Sequence, residues 1–248
     1  MPYDEILEKD QEEYRSCEFD WNCEKCYKSL CLRIAALAEF PSKYGSFKIV
    51  AFENNKDGKD HIMIIKGNIE GAENVLTRVH SSCVTGDVLG SLRCDCGDQL
   101  QKALHKIEKE GQGVLLYMQQ EGRGIGLTNK IKAYMCQDRG ADTYDANLLL
   151  GFHPDQRTYE LAAAMLRKLR VSSIRLLTNN PQKVRDLEQF GVKIERRIPI
   201  EIPANRYNRF YLETKKGKGG HILSLRARAH TRKNGASIST SAKMKVRK

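Results

Sequence analysis

The sequence predicts an α/β fold, in which a mixed sheet and helices form a single domain. Its 248 residues can bury one full hydrophobic core. After residue 110, short apolar segments alternate with segments of helical period, which is typical of strands connected by helices. Before residue 80, several short extended segments are separated by turn residues, which indicates further strands.

Residues 1–44 are predicted to form an acidic extension that contains one helix. Residues 30–40 carry apolar side chains at helical spacing, and Pro41 is expected to end that helix. Its apolar face would consist of Leu30, Ile34, Leu37 and Ala38. A face of this kind could pack against a partner helix or a subunit surface.

Four of the eight cysteines lie in this extension, at Cys17, Cys23, Cys26 and Cys31. Cys23 and Cys26 have the C-x2-C spacing of a metal site, but no second Cys or His pair completes the ligands, so free thiols are the alternative. The cysteine content fits a reducing compartment, and the sequence shows neither a signal peptide nor an apolar run of membrane-spanning length. We therefore expect a cytoplasmic protein.

Strands and helices are predicted for most of residues 45–200. Segments 47–52, 61–66 and 75–79 are expected to form antiparallel strands, because turn residues lie between the first two segments. A helix at 98–110, ended by glycines, precedes an apolar strand at 114–118. The remaining predicted elements are helices at 127–138, 159–169 and 181–190 and strands at 174–178 and 192–196.

Cys83, Cys94 and Cys96 form a C-x10-C-x-C cluster that is a candidate zinc site. Three thiolates bind Zn2+ and leave one tetrahedral position for water, as a catalytic zinc requires. A helix is predicted to begin after Gly97, and its N-terminal dipole would lower the pKa of these thiols. The alternative is three buried, reduced cysteines that act as small apolar side chains.

A glycine-rich loop at residues 120–126, QEGRGIG, follows a predicted strand and opens a helix. Backbone N–H groups at the glycines, the helix N-terminus and Arg123 could together hold a phosphate. The loop matches neither the Walker A pattern nor G-x-G-x-x-G, so a plain tight turn is the alternative.

Two further loops carry polar residues between predicted elements. Residues 178–183, TNNPQK, place Lys183 in the first turn of a helix, and an Asn-capped helix start is the alternative to a binding role. Residues 151–157, GFHPDQR, place Asp155 two residues before Arg157, and an exposed ion pair is the alternative there.

The net charge of +11 lies in the C-terminal tail and not in the body of the chain. Residues 215–248 carry eleven Lys or Arg and no acidic residue, which leaves 31 basic and 31 acidic residues before them. Residues 226–248 lack apolar periodicity, so we expect a disordered tail. It would aid solubility or contact nucleic acid weakly, and nucleic-acid binding is not expected to be the main function.

Together these segments resemble GTP cyclohydrolase II, the zinc enzyme that opens the guanine ring in riboflavin biosynthesis. The resemblance spans about residues 46–223 and implies a single catalytic domain at 45–225 that forms a homodimer. One departure is Ser82, where the family commonly has Glu. The matching segments are RVHSSCVTGD, GSLRCDCG, QEGRGIGL, NKIKAY, GADTYDAN, LGF, LLTNNPQKV and TKKGKGGHIL.

The resemblance also implies a role for individual residues. The zinc ligands would be Cys83, Cys94 and Cys96. The residues that contact GTP would be Arg78, Val79, His80, Ser81, Ser82, Gln99, Glu121, Gly122, Arg123, Thr143, Thr178 and Lys183. The catalytic residues would be Tyr134, Asp155 and Arg157.

The implied reaction has two hydrolyses at one zinc ion, first at C8 of guanine and then at the resulting formamide. Formate and diphosphate leave, with Mg2+ on the phosphates, to give 2,5-diamino-6-(5-phosphoribosylamino)pyrimidin-4(3H)-one. In the family mechanism Arg157 attacks the α-phosphorus with Asp155 as base. A clamp on the departing phosphates is the simpler assignment, because a guanidinium is essentially always protonated. Tyr134 would be a catalytic phenol, and a core aromatic side chain is its alternative.

Two other functions stay open at this point. One is a divergent cyclohydrolase that stops at the formamidopyrimidine or serves another pathway. The other is a non-catalytic zinc- and nucleotide-binding module that binds RNA with its tail. The intact set of zinc and catalytic residues argues against this second function. Many relatives carry a fused dihydroxybutanone phosphate synthase domain, which we do not expect here, because about 45 residues precede the matching region.

Overall fold

The computed structural model describes residues 2–14 and 30–225. The predictions for three N-terminal cysteines and for the tail therefore lie outside the described residues: Cys17, Cys23, Cys26 and 226–248. Within the described residues, a seven-stranded mixed sheet with helices on both faces gives the α/β fold that the sequence predicts.

The predicted elements after residue 45 are confirmed, with ends shifted by at most two residues. Four helices were not predicted, and these are Pro2–Tyr14, Val84–Asp87, Thr143–Leu149 and Arg209–Gly217. The strands are β1 (Leu32–Ser42), β2 (Gly45–Asn54), β3 (His61–Lys66), β4 (Val75–Ser81), β5 (Gly113–Met118), β6 (Ile174–Leu177) and β7 (Ile194–Ile198). The helices are α1 (Pro2–Tyr14), α2 (Val84–Asp87), α3 (Cys96–Glu110), α4 (Gly126–Gln137), α5 (Thr143–Leu149), α6 (Glu160–Lys168), α7 (Pro181–Gln189) and α8 (Arg209–Gly217), and a 3-10 turn spans Glu121–Gly124.

The strands lie in the order β1-β2-β3-β5-β4-β6-β7. β1, β2, β3 and β5 are antiparallel neighbours, whereas β4 runs parallel to β5 and to β6, and β6 runs parallel to β7. The predicted antiparallel pairing of 75–79 is therefore wrong. Helix α3 carries the chain from β4 to β5, and a crossover helix of this kind places the two strands parallel.

The predicted helix at 30–40 is also wrong, because Leu32–Ser42 form β1 and pair along their length with β2. The chain reverses in a tight turn before Gly45, which has a φ of 139°. Helix propensity is a weak preference, and the ladder and packing of this hairpin outweigh it. Pro41 lies inside the strand, which is tolerated because β1 is at the edge of the sheet. Residues from the predicted extension thus form part of the sheet.

Helices cover both faces of the sheet. On one face, α1, α6 and α7 enclose an apolar cluster that includes Phe52, Leu116 and Met165. On the other face, α3 packs Leu104 and Ile107 against the strands. Burial of these side chains provides the main driving force for folding.

Helix α1 is held on the sheet by polar as well as apolar contacts. The hydroxyl of Tyr3 donates to the carbonyl of Gly67 over 2.8 Å and accepts from the N–H of Ile69 over 3.0 Å. The buried carboxylate of Asp10 accepts from the N–H of Ile34 over 2.6 Å. These contacts connect the N-terminal helix to β1 and to the loop after β3.

The parallel strands β4, β5 and β6 end at the same edge of the sheet. The first thiol, the glycine-rich loop and the TNNPQK loop follow these three strands in turn, so the topology brings them together. None of the helices within the described residues has the length and apolar content needed to cross a membrane.

Candidate functional site

A cavity opens at this edge of the sheet, and nearly all of the predicted site residues line it. The exceptions are Val79, whose side chain is buried in the core, and Asp155, which pairs with Arg157. The predicted residues that line the cavity are Arg78, His80, Ser81, Ser82, Cys83, Cys94, Cys96, Gln99, Glu121, Gly122, Arg123, Tyr134, Thr143, Arg157, Thr178 and Lys183. The fold brings them together, while their individual roles stay predictions.

The three thiols have the spacing of a metal site. The Sγ atoms of Cys83, Cys94 and Cys96 all lie within 4.8 Å of one another, and those of Cys83 and Cys94 are 3.7 Å apart. Sulfur ligands at the ~2.3 Å of a Zn–S bond lie about 3.8 Å apart in a tetrahedron, so this triad fits a zinc ion. All three residues line the cavity, so they would hold the ion at its wall.

Two glycines make room for this triad. A Cβ atom at Gly86 would lie 2.8 Å from the Sγ of Cys94 and 3.2 Å from that of Cys83. A Cβ atom at Gly97 would lie 2.3 Å from the carbonyl oxygen of Gly86. The glycines of VTGD and CDCG therefore let α2 and the start of α3 approach closely enough for the sulfurs to meet.

Lys130 and Glu121 surround the first thiol. The Nζ of Lys130 lies 3.1 Å from the Sγ of Cys83 and 2.7 Å from Oε1 of Glu121. The other oxygen of Glu121 accepts from the N–H of Val84 over 2.7 Å. The ammonium of Lys130 thus offsets negative charge on both Cys83 and Glu121.

The thiols share their protons unequally. Hydrogen bonds from the other two thiols, and then the charge of Lys130, hold the pKa of Cys83 far below its usual value. The hydrogen bond that Cys94 donates to Cys83 raises the pKa of Cys94 to about 11. A thiolate is thus already favoured at Cys83, and a metal cation would replace the protons on the others.

A buried polar chain connects α8 and β4 to the loop at residues 88–95, which contains Cys94, leads into Cys96 and is called the thiol loop below. Lys215 donates to Oδ1 of Asp95 over 3.1 Å, and Gln99 donates to Oδ2 of Asp95 over 2.6 Å. Arg78 donates to Oε1 of Gln99 over 2.7 Å and to the carbonyl of Leu177 over 2.8 Å. Burial opposes the charge on Lys215 and on Asp95, but their attraction outweighs it, so the pKa of Lys215 is raised and that of Asp95 is lowered.

His80 is fixed by a second buried group. Its Nε2 lies 3.1 Å from both carboxylate oxygens of Asp87, and its ring stacks on Tyr117 at 5.5 Å between centroids. The Tyr117 hydroxyl and the N–H of Cys83 each donate to Asp87 over 2.9 Å. Burial lowers the pKa of His80, so the imidazole is neutral near pH 7. Asp87 thereby links the histidine to the first thiol.

Some residues that line the cavity have a buried polar side-chain atom without a hydrogen-bond partner. Among the described residues, these atoms include Nε of Arg78, Nδ1 of His80 and Oγ of Ser82. Unpaired buried polar atoms are uncommon in native proteins, so these three are candidate contacts for a polar ligand.

The glycine-rich loop turns sharply before α4. Gly122 and Arg123 both adopt left-handed backbone conformations, with φ of 61° and 63°. Such a conformation is costly for arginine. It is stabilised by the loop that carries Asp155 and Arg157, because the Gln156 N–H donates to the Arg123 carbonyl over 3.0 Å. The Arg123 guanidinium stacks over Tyr144 at 4.4 Å. The loop thus presents Arg123 to the cavity in a defined position.

Asp155 and Arg157 form the predicted ion pair. Nε of Arg157 donates to Oδ1 of Asp155 over 2.8 Å, and Nη1 lies 3.4 Å from the Ser81 hydroxyl. Burial disfavours the charge on Arg157, but Tyr159 and the Asp155 carboxylate outweigh it and raise its pKa. The guanidinium therefore stays protonated. The Arg157 side chain is 15% exposed and that of Asp155 is 37% exposed, so only the arginine is more buried than in an ordinary surface ion pair.

Lys183 lies in the first turn of α7, whose start Asn180 caps by accepting from the Gln182 N–H over 3.0 Å. The helix starts at Pro181 as predicted, and the Asn cap, which was the alternative to a binding role for this loop, is present. Lys183 Nζ is buried, donates to the Val79 carbonyl over 2.7 Å and lies 5.0 Å from the centre of the Tyr159 ring. Burial, and then the charges of Arg78 and Arg157, hold its pKa well below the usual value.

Tyr134 is half-buried beside the thiols. Its hydroxyl lies 3.2 Å from Oγ1 of Thr85, and Thr85 in turn lies 3.7 Å from the Sγ of Cys83. Burial raises the pKa of the phenol, so it holds its proton near pH 7. The side chain lines the cavity, and therefore does not behave as an ordinary core aromatic.

Several lining residues were not predicted from the sequence. They include Lys130, Tyr211, Lys215 and His221. Burial, and then the charge of Lys215, lower the pKa of His221 to about 4, so its imidazole is neutral. The available signal was the presence of Lys130 in NKIKAY and of Lys215 and His221 in TKKGKGGHIL, two of the segments that carry the resemblance.

Comparisons with known proteins found a family match and several similar sequences. A family model described as GTP cyclohydrolase II matches residues 33–199. GTP cyclohydrolase-2 from Tolumonas auensis is 54% identical over 190 residues, which cover 77% of this chain and 96% of that protein. GTP cyclohydrolase-2 from Aeromonas hydrophila is 51% identical over 190 residues, which also cover 77% of this chain and 96% of that protein.

Some relatives are longer than this chain. The riboflavin biosynthesis protein RibBA from Phocaeicola vulgatus is 54% identical over 185 residues, which are 75% of this chain and 46% of that protein. The chain thus spans about half the length of such relatives. One solved structure is similar over part of the fold: RibBX, a two-domain 3,4-dihydroxy-2-butanone 4-phosphate synthase from A. baumannii. The match covers 69% of this chain and 40% of that chain, with a TM-score of 0.41 and 16% identity. This likeness is too small to support an inference.

Proposed function

The chain belongs to the GTP cyclohydrolase II family, and we propose that it hydrolyses GTP as a step of riboflavin biosynthesis. The reaction opens the guanine imidazole ring and releases formate and diphosphate. The product is 2,5-diamino-6-(5-phosphoribosylamino)pyrimidin-4(3H)-one. One observation carries this proposal: the thiol triad lines the same cavity as Arg78, Arg123, Arg157 and Lys183, so a metal site and a cluster of basic side chains face one space.

The triad is the proposed site of both hydrolyses. A zinc ion held by the three thiolates would supply a water of lowered pKa and would polarise the bond to be cleaved. Lys130 offsets the negative charge on Cys83 and holds Glu121, so it keeps this end of the cavity ordered. Tyr134, whose hydroxyl contacts Thr85 beside Cys83 and holds its proton, would donate a hydrogen bond or a proton during one of the two steps.

The cations at the other loops are the proposed triphosphate site. Arg123 and Arg157 both line the cavity, and each side chain is held by its neighbours. Negative charge placed near Lys183 would favour its protonated form, against the burial and the two arginines that lower its pKa. Among the described residues, the thiol triad is the only metal-ligand cluster, so Mg2+ would bind chiefly through the phosphates.

The Asp155–Arg157 pair supports a clamp on the departing diphosphate. Asp155 holds Nε of Arg157, and the raised pKa of the guanidinium opposes the loss of a proton that a nucleophile would need. Nη1 makes only a long contact with Ser81, so this edge is the one available to phosphate oxygens. Asp155 would then act by orienting Arg157 and not as a base.

The test is product analysis with the zinc-loaded full chain, GTP and Mg2+. We expect mass spectrometry to find the diaminopyrimidinone together with formate and diphosphate. Arg157→Met should lose diphosphate release, whereas Arg185→Met, an exposed arginine on α7, should match the parent. Unchanged GTP would contradict the proposal, and a formylated pyrimidine without formate would support the divergent cyclohydrolase instead.

The remaining parts of the proposal are the homodimer and the cytoplasmic location. Light scattering of the purified chain would measure the first, and cell fractionation the second. A monomeric mass at active concentrations would contradict the homodimer without touching the proposed reaction.

A further inference from the structure

The C-terminal segment that includes α8 is attached to the thiol loop. Its residues lie outside the region that the family model matches, which ends at residue 199. Asn208 Nδ2 donates to the carbonyl of Cys94 over 3.4 Å, and Asn205 Nδ2 donates to the carbonyl of Leu92 over 3.3 Å. Lys215 reaches Asp95 from the same segment, across 120 positions of the chain. The segment therefore holds both the backbone and a side chain of the thiol loop.

Asp95 is the residue between two of the three thiols, and its carboxylate is almost fully buried, with 2% of the side chain exposed. Lys215 is its cationic partner, and the neutral Gln99 amide holds the other oxygen. A buried carboxylate that loses its cation becomes an uncompensated charge, and the chain then rearranges or admits water. Because Cys94 and Cys96 flank Asp95, any such movement reaches both sulfurs directly.

We infer that Lys215 is a positioning residue of the metal site: by pairing with Asp95 it fixes the loop that presents Cys94 and Cys96. The inference deepens the proposed function, on which it rests for the identity of the metal. The same contact also orders Gln99 and, through it, Arg78. Partners that hydrogen-bond a metal ligand usually change metal affinity about 10- to 100-fold when they are removed. Lys215 acts on the ligands through Asp95, so we expect an effect at the lower end of this range.

The experiment measures zinc affinity and zinc release by competition with a coloured chelator, using the full chain and zinc alone. Lys215→Met should bind zinc about 10-fold more weakly and release it faster. Lys215→Arg keeps the charge and should restore most of the affinity. Lys216→Met is the matched control, because it removes the same charge from the exposed face of the same helix, and should match the parent.

A double variant separates positioning from general damage to the fold. Asp95→Asn with Lys215→Met removes both charges, so no buried ion is left unpaired, and the variant should fold. Asp95→Asn alone is the second single variant. If Lys215 acts through Asp95, the double variant loses no more zinc affinity than the weaker binder of Lys215→Met and Asp95→Asn. Additive losses, parent-like affinity in Lys215→Met, or a parent that binds no zinc would each overturn the inference.

These outcomes are independent of GTP turnover. If the parent binds zinc but leaves GTP unchanged, the proposed function fails while the role of Lys215 is still decided by the zinc measurements. If turnover is found but Lys215→Met holds zinc as the Lys216→Met control does, the positioning role fails alone.

Discussion

Replacing Tyr134 by Phe removes one hydroxyl from the wall of the cavity and keeps the ring. The hydroxyl contacts Oγ1 of Thr85 at 3.2 Å, and the ring also lies under the Arg93 guanidinium at 5.0 Å. Phe keeps the ring contact and loses the single hydrogen bond. Because ring opening and deformylation are separate hydrolyses, a hydroxyl that serves only the second step would divide them when it is removed.

The structure sets the expected magnitudes. Loss of one neutral, partly exposed hydrogen bond should lower the free energy of unfolding by about 0.5–1.5 kcal/mol. Loss of a proton donor should slow deformylation by about 100-fold or more, which is about 2.7 kcal/mol in the barrier to that step. GTP consumption and diphosphate release should continue. The variant would therefore accumulate the formylated pyrimidine with little free formate.

The assay is chromatography with mass spectrometry on timed samples, with formate measured in parallel. Tyr207→Phe is the matched control, because Tyr207 is exposed and does not line the cavity. If Tyr134→Phe releases formate and diphosphate in the parent ratio, the hydroxyl does not separate the two steps. Tyr134 would then be a packing residue.

Three further changes test other parts of the site. Cys94→Ser should abolish formate release and lower the zinc content measured by elemental analysis, because one of three ligands is lost; normal formate release from zinc-free protein would contradict the zinc assignment. Gly86→Ala places a methyl 2.8 Å from the Sγ of Cys94 and should lower zinc content too, whereas Gly217→Ala, with open space around it, should not; equal zinc content in both would show that the triad tolerates the intrusion. Deletion of 226–248 removes eight Lys or Arg and should leave turnover at physiological salt nearly unchanged, with any loss confined to low salt; a large loss that persists at high salt would place the tail in the site.

The strands that lead into the site, and the helices that follow its predicted loops, were the most predictable elements. Helices α5 and α8 also border the cavity but were not predicted, and neither was α2, which begins directly after Cys83. The strand before each functional loop is a short apolar run, and the loops contain the turn and capping residues that end strands and start helices. Asn180 and Pro181, for example, specify the start of α7 by local chemistry alone. The thiol cluster was equally clear, because cysteines with metal-site spacing can be read directly.

The two errors arose where pairing over distance outweighs local preference. Residues 30–40 have a helical apolar pattern, yet they form an edge strand because β2 follows at hairpin distance. The direction of β4 depends on the order of strands in the sheet, which no local pattern reports. Helix α1 was missed because its acidic composition hid the buried positions Tyr3, Ile6 and Asp10, which are three to four residues apart.

The site residues that sequence patterns missed are long-range partners of predicted ones. Lys130 reaches Cys83 across 47 positions, and Lys215 reaches Asp95 across 120. A lysine on a polar helix is normally expected to face solvent. Only the folded chain shows that Lys130 is a charge partner of Cys83 and that Lys215 is one of Asp95. Their contribution depends on burial, which composition does not reveal.

The most direct test of the central claim follows one carbon atom. The full zinc-loaded chain is incubated with Mg2+ and GTP carrying 13C at C8, and NMR records the fate of the label. The proposed reaction predicts that the label leaves as formate, one formate for each GTP consumed, while the pyrimidine product contains none. A label that stays in intact guanine while phosphate is released would contradict the account, because the site would then cleave phosphates without opening the ring.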